Sequence, residues 1–565
     1  MTKQVLSQSH RDFFALVADA TFTNPFSAKR AEIDRRMAGV LSETNWRKIV
    51  PKAVEQIRRR LAQLQDDGAQ RIEDFDPADR ELMTYAYLFE TFHRFARDFD
   101  AYILRQQRRG DEPIAVPFAH TAIDSLIRRG FTPQQAAQYF ALFYQMRRGF
   151  FFIDTGLVGP SDCMRKLRMD LWNNIFTQDI RRYEQHLWDK MEDFSTLLEG
   201  PTGSGKGAAA AAIGKSGYIP YDPTRNRFAV SFAHTFVAIN LSQYPESLIE
   251  SELFGHTKGA FTGAVSDHRG LLGLCGPHGS IFLDEIGETT IPIQVKLLKV
   301  LEDRTFSPVG SHDKQRFSGR VIAATNHPIE ALRKDGRFRD DFYYRLCSDC
   351  IRVPALAERI QQNPDELSHL VSHFVRMILG KDIPDVTARV LEVIEKRLGP
   401  AYHWPGNVRE LTQCIRRVLL KEDYEGDRLQ QNTPLETLMQ KMKTGSAQAD
   451  EVLSAYLKHL YAIHGTYEAA ARAAALDRSF GAINAWTSIC RVAAATFASY
   501  PAVKAMPDQP VLMTVSLIVS GASDSRGTDA PSGLIRYASV AAHVVVSGGV
   551  AFSVSFAGQL LSAGI

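Results

Sequence analysis

Apolar positions in the first 155 residues recur at three- and four-residue spacing, as in Glu81-Leu-Met-Thr-Tyr-Ala-Tyr-Leu-Phe-Glu-Thr-Phe-His-Arg-Phe. That is the period of a helix burying one stripe. Thr132-Pro-Gln-Gln reads as a helix start, with Thr132 as N-cap and Pro133 at the first helical position. Near Phe150-Phe-Phe-Ile the texture changes. Short apolar runs now alternate with amphipathic stretches: Thr196-Leu-Leu-Glu, Phe236-Val-Ala-Ile, Ser280-Ile-Phe-Leu and Arg320-Val-Ile-Ala-Ala-Thr. Apolar runs of strand length between helical patterns predict an α/β fold with a buried parallel sheet. Residues 360–425 return to helical spacing, 426–450 read as a linker, and 451–478 hold two short helical patterns.

Composition changes this picture at one place. The 565 residues suggest three or four domains, and 45% hydrophobic content is enough for a sizeable core. With 67 basic and 64 acidic side chains the net charge is +3, which excludes a uniformly basic coat but not a local basic site. Basic clusters such as Arg58-Arg59-Arg60 and Arg128-Arg129 are short and read as solvated faces. Six cysteines are not a disulfide framework and point to a reducing compartment. The opening MTKQVLSQSHRDFF lacks the apolar stretch of a signal peptide. The charge, however, is unevenly spread: residues 479–565 carry seven charged side chains in 87 positions and no Glu.

The chemistry concentrates in the α/β segment. Gly200-Pro201-Thr202-Gly203-Ser204-Gly205-Lys206-Gly207 fits G-x-x-x-x-G-K between an apolar strand and an Ala-rich helix. Glycines let backbone N–H groups close around phosphate oxygens, the helix N-terminus adds its dipole, and Lys206 supplies a cation. Gly207 departs from the pattern, because it offers no hydroxyl for Mg²⁺. The apolar run at 280 ends in Asp284 and Glu285, placing one acid to orient Mg²⁺ through its hydration shell and the other to polarise an attacking water. The run at 320 ends in Thr325 and Asn326, able to sense a γ-phosphate. Arg337, Arg339, Arg345 and Arg409 are candidates for transition-state charge stabilisation.

Glu250-Ser-Glu-Leu-Phe-Gly-His-Thr-Lys-Gly-Ala-Phe-Thr-Gly-Ala resembles the signature of bacterial sigma-54-dependent transcriptional activators, or enhancer-binding proteins, which are AAA+ ATPases. The hexapeptide Gly259-Ala260-Phe261-Thr262-Gly263-Ala264 carries the likeness, and Trp404-Pro-Gly-Asn-Val-Arg-Glu-Leu and residues 280–288 match too. The resemblance covers about 156–425 and, weakly, 451–478. It implies an AAA+ core at 156–358 and a helical lid at 359–425. It assigns Lys206 to the phosphates, Asp284 to Mg²⁺ and Glu285 to the water. Asn240 would restrain that glutamate, and Thr325 and Asn326 would form the first sensor. Arg339 and Arg345 would be fingers reaching a neighbour's nucleotide, and Arg409 the second sensor. Family members commonly carry Glu after the phosphate-loop lysine, so Gly207 need not exclude Mg²⁺. ATP and Mg²⁺ are the implied cofactors. A cytoplasmic ring, usually a hexamer, is the implied form, with sigma-54 RNA polymerase holoenzyme and enhancer DNA as partners. The hexapeptide would be a loop tip that rises to touch sigma-54. Two glycines allow a tight tip, Phe261 could anchor on a partner, and Thr262 adds a polar contact.

Residues 1–155 read as a helical regulatory domain of unknown signal. His93, His120 and Cys163 there and just beyond, and Cys347-Ser-Asp-Cys350 later, read as ordinary residues rather than metal ligands. Residues 451–478 resemble the start of a Fis-type helix-turn-helix, whose recognition helix should be basic. Uncharged Ser479-Phe-Gly-Ala-Ile-Asn-Ala-Trp-Thr-Ser follows instead, as a change of reading frame near 479 would produce, and this puts DNA binding in doubt. The remainder, 479–565, reads as an irregular tail. Its uncharged stretch 537–565 is long enough for a membrane helix but rich in Ser and Gly without a basic flank, which argues against insertion. The favoured function is ATP-driven transcriptional activation. A remodelling ATPase with another protein client, and a scaffold or DNA-binding protein without sigma-54 activity, are the alternatives.

Overall fold

The computed structural model describes residues 3–40, 45–400 and 402–426 (for Ser247 the backbone alone), scattered positions between 442 and 473, and three strands beyond 510. The chain divides into one unit of Met1–Arg428 and another of Leu429–Ile565.

The first unit begins with helices α1 (Gln8–Phe22), α2 (Ala28–Ala38), α3 (Trp46–Asp66), α4 (Arg80–Arg94), α5 (Ala96–Arg109), α6 (Ala119–Arg128) and α7 (Pro133–Gly156). Their starts follow local chemistry. Ser7 and Ser27 accept N-terminal amides, and Thr132 forms a capping box with Gln135 ahead of Pro133, as the Thr-Pro pair predicts. The helices close around buried rings, among them Phe14, Phe99, Tyr102 and Phe140. A hairpin from further along the chain, Tyr221–Asp222 with Arg227–Phe228, enters the same core, and Phe228 stacks on Tyr144 with ring centres 3.9 Å apart.

Five parallel strands follow: β1 (Thr196–Glu199), β2 (Phe236–Asn240), β3 (Ser280–Asp284), β4 (Arg320–Thr325) and β5 (Asp349–Arg352), in the order β2-β3-β4-β1-β5. The four apolar runs read from the sequence are strands of this sheet. Alternate residues face opposite cores. Leu197, Ile281, Leu283 and Val321 join one, with α10 (Glu246–Phe254), α11 (Ile291–Asp303) and α12 (Asp340–Leu346). Leu198, Phe282, Ile322 and Ala324 join the other, with α8 (Asp162–Phe176) and α9 (Lys206–Gly214). Leu142 and Ile153 of α7 also lie in that second core, so α7 belongs to both the N-terminal bundle and the sheet domain. Register aligns Asn240 with Asp284 and Glu199 with Thr325, gathering polar groups at the strands' carboxyl ends, where open α/β sheets bind ligands.

Helices α13 (Leu356–Gln362), α14 (Asp365–Leu379), α15 (Pro384–Arg397) and α16 (Asn407–Lys421) pack around Val371, Leu411, Ile415 and Trp404. A buried ion pair ties this helical layer to the chain just after α7. Arg359 and Glu366 are bonded to each other at 2.7 Å; Arg359 donates to the Val158 carbonyl at 2.6 Å, and Glu366 accepts from the Ser161 amide at 2.9 Å.

In the second unit, β6 (Val511–Val519), β7 (Ala538–Val546) and β8 (Val550–Gly558) form an antiparallel sheet in chain order. The tail is therefore not wholly irregular, and β7 and β8 occupy most of the stretch weighed above as a membrane helix. Its valines favour extended backbone. No helix among the described residues is long and apolar enough to cross a membrane. The helix-turn-helix of 451–478, apart from scattered positions, and the sequence from 479 where its recognition helix was due lie outside the described residues.

Candidate active site

Strand β1 runs into the loop Gly200–Gly205, and α9 begins at Lys206. Gly203 and Gly205 have φ of +76° and +113°, which only glycine adopts readily. The loop is also tightly held: a Cβ on Gly203 would stand 2.4 Å from the Gly406 carbonyl oxygen, and one on Gly200 2.4 Å from that of Val353. Lys206 is buried, and its ammonium donates to the carbonyls of Gly200 at 2.8 Å and Pro201 at 3.3 Å. Burial lowers its pKa, against the pull of Glu285 and Asp284. The Ser204 hydroxyl is buried without a partner among the described residues. A cationic, glycine-lined cradle with an unsatisfied hydroxyl fits the phosphates of a nucleotide.

Asp284 ends β3, and burial raises its pKa while Lys206 opposes the rise. Glu285 follows with φ of +56°, a strained conformation for a non-glycine residue and one that tends to mark functional sites. Its carboxylate accepts from the Asn326 amide at 3.3 Å, and the Asn326 side chain donates to Thr202 Oγ1 at 3.1 Å. Thr325 is fully buried, its hydroxyl accepting from the His327 amide at 3.1 Å. Arg409, on α16, packs at the loop: its Cβ lies 3.0 Å from where a Gly203 Cβ would stand, and its charge acts on both Lys206 and Asp284. The fold thus brings Lys206, Asp284, Glu285, Asn326 and Arg409 to one loop.

Three candidates point elsewhere. Asn240 spends its side-chain oxygen on the amide (3.0 Å) and hydroxyl (2.7 Å) of Ser242. Arg339 forks onto Asp341 with bonds of 3.0 and 2.6 Å. Arg345 donates twice to the Leu301 carbonyl, at 3.0 and 2.8 Å, closing the end of α11. Gly207 has open space around its Cα: a Cβ there would meet nothing within 4 Å. Sequence reading missed Asn407. Its φ of +53° is one that Asn tolerates, its amide donates to the Thr202 carbonyl at 3.0 Å, and its oxygen accepts from Leu356 at 2.8 Å. It joins the phosphate loop to α13 and sits inside the Trp404–Leu411 motif, where the arginine drew the attention.

The hexapeptide forms a closed turn. Gly259 N–H donates to the Ala264 carbonyl at 2.8 Å, and Ala264 N–H to that of Phe261 at 3.0 Å. Gly259 and Gly263 take φ of +82° and +103°. Phe261 is 40% exposed and rests edge-on against His256, rather than lying in a core. Its base is bound to a second loop through Thr257 N–H and the Val309 carbonyl, 3.0 Å. Among the described residues no group of His, Cys, Asp and Glu could hold a metal ion in a cluster.

The family model of the sigma-54 interaction domain matches residues 176–352, and that of an AAA+ ATPase lid domain matches residues 361–452. The chain thus carries a sigma-54 interaction domain followed by an AAA+ ATPase lid domain. It is similar to the transcriptional regulatory protein GlrR of Escherichia coli K12, 40% identical over 238 residues, or 42% of this chain and 49% of that protein. It is similar also to the Nif-specific regulatory protein of Azotobacter vinelandii, 37% identical over 279 residues, 49% of this chain and 46% of the relative. The chain spans about half the length of the curated relatives it matches. Among solved structures, that of NtrX from Brucella abortus in complex with ADP matches at 23% identity and a TM-score of 0.35, over 64% of this chain and 78% of that one. The matched segments begin at residue 176, so α1 to α7 lie outside both models.

Proposed function

We propose that this chain hydrolyses ATP and uses the cycle to press the Gly259–Ala264 turn against sigma-54 in the RNA polymerase holoenzyme, remodelling the closed promoter complex. The observation that carries this is the convergence of Lys206, Asp284, Glu285, Asn326 and Arg409 on one glycine loop, in a domain that also displays the half-exposed Phe261 turn. Lys206 and the loop amides would hold the phosphates, with Ser204 as a further donor. Mg²⁺, held through water at Asp284, would neutralise phosphate charge. Glu285 would take the proton of the attacking water, kept in place by the Asn326 amide. Asn240 would have to leave Ser242 to restrain Glu285, so its role belongs to another state of the cycle. Arg339 and Arg345, bound here to Asp341 and Leu301, would serve a second copy's nucleotide across a ring interface, usually hexameric in this family. The ring would act in the cytoplasm of a bacterium, while enhancer DNA stays an open partner, because the run after Ser479 lacks the cations a recognition helix needs.

Capture of sigma-54 in the presence of a transition-state analogue of ATP tests the reading. Retention that depends on the analogue supports it. ATPase activity with no retention of sigma-54 would favour a remodeller with another protein client, and no turnover at all a scaffold.

A further inference from the structure

A second cleft of the first unit is lined by no residue of the phosphate loop. It has a volume of about 1340 Å³, above the roughly 300–1,000 Å³ of ordinary small-molecule pockets. Its walls come from α2 to α5 of the N-terminal bundle, from α7, the linker through Pro160 and α8 at Arg165, Arg168 and Trp172, and from one face of lid helix α14 at His369, His373 and Arg376.

Nine arginines but only three aspartates line it. Two of the aspartates are already committed: Asp34 to Arg30 at 2.9 Å, and Asp100 to Arg147 through two 2.6 Å bonds. The third, Asp154, faces the charges of Arg47, Arg168 and Arg147. Behind the wall, the single carboxylate of Glu90 is shared by Arg58 and Arg94. Arg165 pairs with Asp162 at 3.1 Å and Arg376 with Asp382 at 3.7 Å, so most of the arginines have a carboxylate, but the Arg97 guanidinium makes no hydrogen bond or ion pair among the described residues and the lining keeps a net positive charge. The apolar part of the wall is aromatic and ordered. Phe26 stacks on Phe150 at 5.3 Å, and Trp172 meets Phe26 edge-on at 6.2 Å. The Trp172 indole N–H is buried, borders the cleft and has no partner among the described residues. A positively charged cavity with flat aromatic walls and an unused donor is suited to an anion carried on a planar body.

The position of the cleft suggests what binding would do. Val158, Gly159 and Pro160 form part of its wall, and Arg359 and Glu366 of the lid grip this linker. A Cβ on Gly159 would lie 2.0 Å from the Glu366 carboxylate, so linker and lid are in close contact. The lid in turn reaches the phosphate loop through Asn407 and Arg409.

We propose that this cleft binds a small organic anion with a planar apolar body, and that occupancy resets the lid over the phosphate loop, making the cleft the signal input of the N-terminal bundle. The binding half stands by itself; the regulatory half rests on the ATPase reading. The shared chemistry admits an aromatic carboxylate or a nucleobase phosphate.

The test uses the full chain saturated with ADP and Mg²⁺, so that the phosphate loop is filled. 1-Naphthoate and guanosine 5′-monophosphate are titrated separately by calorimetry and tryptophan fluorescence. We expect one of the two to bind saturably at one site per chain, and which one binds identifies the anion. Arg97→Glu with Arg376→Glu should weaken that binding by at least about tenfold, whereas Arg97→Lys, which keeps the charge, should restore it. The bound probe should change the steady-state ATPase rate of the unmodified chain by at least about twofold and leave the doubly reversed variant unaffected. Failure of both probes through the millimolar range, or equal binding by the reversed variant, overturns the site. Binding with an unchanged ATPase rate overturns the regulatory half. Binding by a chain without any ATPase activity overturns the ATPase reading and leaves the site standing.

Discussion

Glu285 is held in a left-handed conformation with its carboxylate on the Asn326 amide. A glutamate that only ended a strand would have no reason to adopt that conformation. Replacing Glu285 by Gln keeps the shape and removes the base. Hydrolysis should then fall by about 10²–10⁴-fold while nucleotide binding persists, as read by turnover and by calorimetry. Thr262 sits on an exposed turn with no contact to the phosphate loop, so Thr262→Ala should retain ATPase activity within about twofold and lose sigma-54-dependent transcription. Loss of both would sink the coupling role. Gly207 has free space for a side chain in the first turn of α9. Gly207→Ser should fold normally and gain up to about 0.5 kcal/mol of stability in urea denaturation, because a helical glycine costs more chain entropy than serine. These single residues were legible from the motif spacing. Asn407 was not, because its role depends on Thr202 and Leu356, each about 50 or more residues away.

Helix α7 was read as the end of a separate domain, yet it works for two. Its Arg148 is fully buried and donates to the carbonyls of Lys215 at 2.6 Å and Gly217 at 2.7 Å, just beyond the end of α9. One turn back, Gln145 donates to the Ser216 carbonyl at 3.0 Å. These bonds satisfy carbonyls that a helix end leaves open. Arg148→Met keeps much of the volume but strands two part-buried carbonyls, and should lower unfolding free energy by about 2 kcal/mol, visible as a lower urea midpoint with an unchanged slope. Period alone showed that α7 is a helix. It could not show the partner on each face, because Phe140, Leu142, Tyr144 and Ile153 are equally apolar whichever core they enter. The tail made the opposite point. Its lack of charge and its Ser and Gly content read as irregular, whereas three strands of nine residues each pair there. Pairing is a non-local property that composition does not encode.

For the whole molecule, these shared elements remove the clean boundary expected near residue 155. Deleting residues 1–155 would take Arg148 from α9 and uncover the Phe228–Phe232 segment that now lies in the N-terminal core. The truncated chain should unfold several degrees lower than the intact one in a thermal melt, or precipitate. A truncation with the Tm of the full chain would show that the bundle is detachable. The sequence by itself determined the α/β sheet, the glycine loop after its first strand, the acids that end β3 and the Gly259–Ala264 hexapeptide. Each of these is written in short-range spacing, and the chemistry needs those residue types at those intervals. Only the tertiary structure decided that Arg345 closes α11, that α7 and the lid grip one linker, and that arginines from seven helices face a single aromatic cleft. Those arginines are scattered from Arg30 to Arg376, and in the sequence each reads as an ordinary surface charge. Their meaning comes from burial and convergence, which depend on how helices distant in the chain pack against one another.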